Sequence, residues 1–204
     1  MSRKPVQKER RRQIMEALHR CLLVKPFDKT SIKDIAAEAG INHGMLHYYF
    51  KSKDDILIHY IEFIIEKYKS MFDQWLAERD RTDETPELFV TACFDIMYHR
   101  ITLNRDISRI FIEIWEISTY NPQVREKLRA AYENWISTLS GVVEQHMADR
   151  ASARLISAGL VAFLEGLSML SVIYEGGEFP LETLLAKAKG LISEMLAQKG
   201  HTSA

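Results

Sequence analysis

An all-α fold of about nine helices is what the sequence predicts, on three observations. Only 9 glycines and 5 prolines punctuate the 204 residues, and between them apolar residues recur at helical spacing without strand-like alternation. Hydrophobic residues make up 47% of the chain, enough at this length to fill one core or two small ones. Charge is divided along the chain: Met1 to Asp55 carries 12 Lys and Arg against 7 Asp and Glu, a net of +5, and the remainder carries 15 against 21, a net of −6. Such a split suits a polyanion-binding head on an acidic body, although a charge run by itself is commonly no more than a solvated face.

The elements follow in order. A first helix is expected over residues 7–23, with Ile14, Ala17, Leu18, Cys21 and Leu22 as its apolar stripe. A second begins after Thr30, read as its N-cap, turns Ile32, Ile35 and Ala36 inward, and stops at Gly40. A third begins after the capping residue Asn42. Ser52 caps a long fourth helix over 52–79, whose first turn sets Asp54 and Asp55 against the positive end of the helix dipole. Past the charged turn "AERDRTDETPE", further helices are expected over 86–103, 105–118, 122–146, 151–174 and 181–198, with Pro86 near the first position of its helix. The expected division is a head of residues 1–52 and a body of residues 53–204.

Two short helices joined by Gly40-Ile41-Asn42 have the length and punctuation of a helix-turn-helix. On the second of them, Leu46, Tyr49 and Phe50 fall on one stripe, while His43, Gly44, His47 and Tyr48 fall on the opposite one. A helix laid in the major groove needs this division, with one side held on its domain and the other free to reach base edges and phosphates. Gly44 would let the backbone lie close to DNA. Ser31 and Lys33 near the start of the second helix, and Lys53 at the start of the fourth, are placed for phosphates; Thr30 is placed equally for capping or for DNA.

The segment "TSIKDIAAEAGINHGMLHYYFKSKDDIL" resembles the DNA-binding signature of the TetR family of bacterial transcriptional regulators. Ile35-Ala36, Ala39-Gly40, Gly44, Leu46, Tyr49-Phe50, Lys53 and Leu57 carry the match. The resemblance implies DNA contacts from Ser31, Lys33, His43, Gly44, Met45, His47, Tyr48 and Lys53. Three residues depart from the family's usual pattern. His47 stands where a phosphate-contacting tyrosine is usual, Asn42 replaces Ser, and Met45 replaces Thr. A histidine still donates to phosphate and Asn caps as Ser does, so these changes bear on base preference, with Met45 suited to a thymine methyl.

Other chemistries find less in the chain. His43 and His47 have a metal-clamping i, i+4 spacing, but no carboxylate follows His43 and no cysteine lies nearby, so no metal site is expected. His59, His99 and Asp95 read as ordinary core or surface residues. No nucleophile elbow or phosphate-cradling loop is present, so no catalytic residue, cofactor or enzymatic activity is expected. Cys21 and Cys93 are too few for a disulfide framework, and the N-terminus has no signal-type apolar core. The apolar run of residues 155–174 is interrupted by Ser157, Glu165, Ser168 and Ser171 and is read as falling short of a membrane span. A cytoplasmic protein without a membrane partner is the resulting expectation.

The body is expected to bind ligand and to dimerise, because one head grips one half-site weakly and two must lie about 34–36 Å apart on a duplex operator. The helix over 151–174 is apolar on nearly all sides, and Ala158, Ala162, Gly166 and Leu170 recur every four residues on it. Paired with the last helix it would make half of an intermolecular four-helix bundle, as the family usually does. The resemblance also implies an inducer pocket, of unknown ligand. "RIFIEIWEISTYNPQVREKLRAAYENW" is similar in layout to a group of members that includes choline-responsive repressors. Phe94, Tyr98, Phe111, Trp115, Tyr132 and Phe163 are the expected lining, although each also suits an ordinary core, and Glu165 would meet a cationic ligand. A repressor released by a small molecule is the leading expectation; a ligand-independent repressor or an activator of the same fold is the alternative.

Overall fold

The computed structural model describes residues 3–79, 85–144, 150–174 and 178–200. Among them are nine α-helices and no strand: α1 Arg3–Val24, α2 Ile32–Glu38, α3 His43–Tyr49, α4 Lys53–Glu78, α5 Pro86–Met97, α6 Arg105–Tyr120, α7 Pro122–Val143, α8 Arg150–Ile173 and α9 Leu181–Gly200. A 3-10 turn, Phe27–Lys29, precedes α2, and a π-turn, Tyr98–Thr102, follows α5. The helix expected over 86–103 therefore ends earlier, at Met97. There the backbone widens until the Leu103 N–H reaches the Tyr98 carbonyl, five residues back, at 2.9 Å. The expected end of α7 at His146 lies outside the described residues.

The chain forms two compact units: Met1–Met71 with Ile110–Tyr132, and Phe72–Arg109 with Glu133–Ala204. The first is larger than the head of residues 1–52 drawn from the motif, because the start of α4 and parts of α6 and α7 supply its core. Ile14, Ala17, Leu18 and Leu22 of α1 are buried with Ile56, Leu57, Tyr60 and Ile64 of α4, Ile110 and Ile114 of α6, and Val124 and Leu128 of α7. Polar contacts secure the additions. Asn121 donates to the Asp54 carboxylate at 3.1 Å and accepts from the backbone N–H groups of Gln123 and Val124, while Lys127 pairs with Glu62. Arg125 donates to the carbonyls of Ser118 and Thr119, satisfying the last turn of α6.

In the second unit, Phe89, Cys93, Phe94 and Met97 of α5 are buried, as are Leu139 and Val143 of α7, Leu160, Leu164 and Leu167 of α8, and Leu185 of α9. A buried hydrogen bond of 2.6 Å joins Ser108 at the start of α6 to Ser168 of α8. By length and composition α8 does qualify as a membrane-crossing helix, contrary to the reading of its serines as disqualifying. Those serines cost little because Ser157 and Ser171 donate to the carbonyls of Ala153 and Ser168 in their own helix. Leu160, Leu164 and Leu167 pack in the core of this unit.

Candidate nucleic-acid interface

The interface is built by the turn chemistry around two seven-residue helices. Ser31, not Thr30, is the N-cap of α2: its hydroxyl accepts from the Asp34 N–H at 3.1 Å, and the Asp34 carboxylate accepts from the Ser31 N–H at 2.7 Å. Lys25 also pairs with Asp34 at 2.7 Å, and together Lys25 and Ser31 hold this carboxyl well below the usual carboxylate range. At the other end Gly40 takes φ 63°, with its N–H on the Ala37 carbonyl and the Ile41 N–H on the Ala36 carbonyl, both at 3.0 Å. This is a Schellman turn, which demands the left-handed backbone glycine adopts without strain. Gln13 of α1 reaches across to the Ala39 carbonyl at 2.7 Å, and Arg20 holds the Glu38 carboxylate at 2.5 Å. The turn thus hands the chain to α3 in one fixed direction.

Asn42 begins α3, accepting from the Gly44 N–H at 2.8 Å. Leu46 is fully buried, while Phe50 is buried just beyond the helix, in the extended residue that caps it. The Arg11 guanidinium lies 4.6 Å from the Phe50 ring centre, and the His59 ring meets Phe50 edge-on at 5.4 Å. The opposite face is open. His43, Gly44, Met45, His47 and Tyr48 are all exposed, Tyr48 to 68%, and His43 and His47 meet edge-on at 5.4 Å. A Cβ on Gly44 would meet nothing nearer than the Asn42 side chain at 3.4 Å, so the protein itself leaves room for one.

Four residues expected at phosphates are placed differently from one another. Lys33 and Ser31 are exposed, but the Ser31 hydroxyl also donates to the Asp34 carboxylate at 2.7 Å and is committed to the cap. Thr30 is 1% exposed, and its hydroxyl donates to the Pro26 carbonyl, so it presents no surface to DNA. The Lys53 ammonium donates to the carbonyls of Phe27 at 2.7 Å and Thr30 at 3.0 Å and lies 4.2 Å from the Phe27 ring centre. It clamps the turn before α2, and a phosphate would have to compete for it. Glu113 of α6, which sequence reasoning missed, accepts from the Phe27 N–H of that same turn at 3.1 Å.

The residues expected around a ligand fall into two groups. Phe94, Tyr98 and Phe163 belong to the second unit, where Phe94 and Phe163 meet edge-on at 6.2 Å. Tyr98 is fully buried at the π-turn; burial, with the Glu182 carboxylate beside it, pushes its phenol up to about 12. Phe111, Trp115 and Tyr132 belong to the first unit, where the Trp115 indole N–H donates to the Tyr132 hydroxyl at 2.8 Å. On α8, Ala162 is exposed and Ala158, Gly166 and Leu170 are half-buried. The uncovered line is better described by Leu155, Gly159, Ala162, Met169 and Ile173, with the half-buried Gly166 among them, alternately four and three residues apart. Leu155 is 74% exposed, Ile173 60% and Met169 42%.

A rigidly aimed helix with an open polar face, carried on a basic head and followed by a second helical unit, defines a DNA-binding transcriptional regulator. Comparison with known proteins agrees. The pattern of the bacterial regulatory proteins of the tetR family matches residues 14–60, and that of the BetI-type transcriptional repressor C-terminal domain matches residues 86–197. The chain belongs to the TetR family, with a second domain of the BetI type. It is 24% identical over 196 residues to the HTH-type transcriptional regulator BetI of Stenotrophomonas maltophilia, covering 96% of this chain and 97% of that one. With BetI of Serratia proteamaculans it shares 25% over 197 residues, covering 95% and 94%. Among solved structures, a TetR transcription regulator from Haloarcula marismortui superimposes with a TM-score of 0.75 at 23% identity, covering 90% of this chain and 96% of that one. A transcriptional regulator from Saccharomonospora viridis in complex with choline gives 0.70 at 24%, covering 91% and 96%. These likenesses establish the shared fold.

Proposed function

We propose that the protein is a homodimeric cytoplasmic repressor, without a catalytic step of its own, that a small cationic ligand of the choline type releases from its operator. The observation that carries the DNA half of this reading is the open face of α3, where His43, Gly44, Met45, His47 and Tyr48 stand clear while Leu46 and Phe50 anchor the helix from behind. Lys33 supplies phosphate contact beside it. Dimerisation is supported by the uncovered apolar line of α8, which has the a/d spacing of a helix seam and two glycines, Gly159 and Gly166, around which an added Cβ meets nothing within 4 Å. The ligand class is supported by the choline bound in the Saccharomonospora viridis relative and by the half-buried ring of Phe163 against Phe94, since aromatic faces attract a quaternary ammonium. Release follows if the ligand favours a dimer whose heads are out of step with successive major grooves, by its differential affinity for that state and no more.

Selection of bound fragments from the source genome, followed by anisotropy titration on the best fragment, tests this reading. Affinity is expected to fall steeply between about 50 and 200 mM salt, and added choline is expected to release the bound DNA. If no fragment is retained, the regulator reading fails. Retention that choline does not change removes the ligand assignment alone.

A further inference from the structure

We infer that Glu113 of α6 is a positioning residue for DNA binding, and that it acts through the turn before α2. The inference rests on the DNA-reading role of α3 and is independent of the choice of ligand. The turn Phe27–Lys29 starts after Pro26, whose side chain makes no capping hydrogen bond, so the Phe27 N–H needs an acceptor from elsewhere. Glu113, 86 residues away in sequence, is that acceptor at 3.1 Å, a carboxylate placed on the positive end of a helical turn. From this turn one link runs to Lys53, the first residue of α4, and the chain itself runs on toward α3. The Phe27 and Thr30 carbonyls take the Lys53 ammonium, and the Thr30 hydroxyl returns to the Pro26 carbonyl. Ser31, the next residue, opens α2 with its reciprocal cap, and the Gly40 turn passes the direction of α2 to α3.

The first turn of the same helix belongs to the second unit, where Ser108 is held by Ser168 of α8. α6 is therefore tied at two points, Ser108 and Glu113, by hydrogen bonds whose geometry is short-ranged. A displacement of roughly 1 Å along the line of such a bond takes it out of range. Such a displacement removes the Glu113 tie and leaves the turn held from outside by Lys53.

Three forms of the full-length protein test this: the wild type, Glu113→Ala and Glu113→Gln. Glu113→Ala is expected to accelerate hydrogen exchange at the Phe27 amide in the free protein and to lower operator affinity about tenfold with the dimer intact, which corresponds to ~1.4 kcal/mol. Glu113→Gln keeps a carbonyl oxygen for the Phe27 N–H and is expected to restore exchange and to return affinity to within about threefold of wild type. Phe27 exchange unchanged in Glu113→Ala overturns the inference, whatever the DNA data show. So does Glu113→Ala binding operator as wild type does, or Glu113→Gln failing in step with it. A wild type that retains no DNA would instead bring down the DNA-reading role, and the exchange measurement would still report on the tie itself.

Discussion

Replacing Lys53 with methionine is expected to lower the stability of the DNA-free protein by ~2–3 kcal/mol, a drop in melting midpoint of roughly 5–10 °C. Methionine keeps the apolar stem that lies against Phe27 but supplies no donor. The carbonyls of Phe27 and Thr30 then lose a charge-assisted partner inside a partly buried turn; Phe27 keeps the Thr30 N–H at 3.1 Å, so the larger cost falls on the Thr30 carbonyl. If Lys53 served only as a phosphate contact, the substitution would weaken operator binding and leave the melt of the free protein unchanged. Thermal denaturation by circular dichroism, without DNA, separates the two roles. Arginine is no substitute, since a planar fork cannot follow two carbonyls from the position of a single ammonium.

Placing a charge in the middle of the uncovered line of α8, as in Ala162→Arg, is expected to leave the monomer folded and to break the dimer. Ala162 is exposed, so the new side chain meets solvent within one copy. Against a second copy, the two-fold symmetry of an isologous interface sets like charges close together and buries them without partners. Operator affinity is then expected to fall by roughly 100-fold or more, because each head loses the effective concentration supplied by its twin. Sedimentation velocity and anisotropy on the same sample check both halves. A monomer that binds the full operator as tightly as the wild type would show that the heads act alone.

How far the sequence alone reaches is visible at single residues. The start of α3 and the start of α4 could be read in advance because Asn42 and Ser52 act over two or three residues, and the buried stripe of α1 follows from spacing alone. Ser31 carried a readable signal too: a carboxylate three residues on, at Asp34, marks it and not Thr30 as the cap. Thr30 misleads because a hydroxyl before a helix suits both a cap and a buried turn. Lys53 misleads because its two acceptors lie 26 and 23 residues upstream, and only the fold brings them over it. Glu113 lies 86 residues from its partner, beyond the reach of any local pattern. The π-turn at Tyr98–Thr102 is not marked by proline or glycine. On α8, composition revealed an apolar helix, but the line left uncovered depends on which neighbours pack the remainder, so Leu155, Met169 and Ile173 stand out only in three dimensions.

Under the proposed function the open face of α3 reads the operator, while its buried face only holds the helix in place. His47 and Tyr48 are both exposed, so removing either side chain leaves the fold of the head untouched. Operator anisotropy of His47→Ala and Tyr48→Ala, measured beside their melting midpoints and oligomeric states, tests the claim most directly. The prediction is a loss of about tenfold or more in affinity for each, ~1–3 kcal/mol, with unchanged melting and an intact dimer. Wild-type affinity in both variants would contradict it.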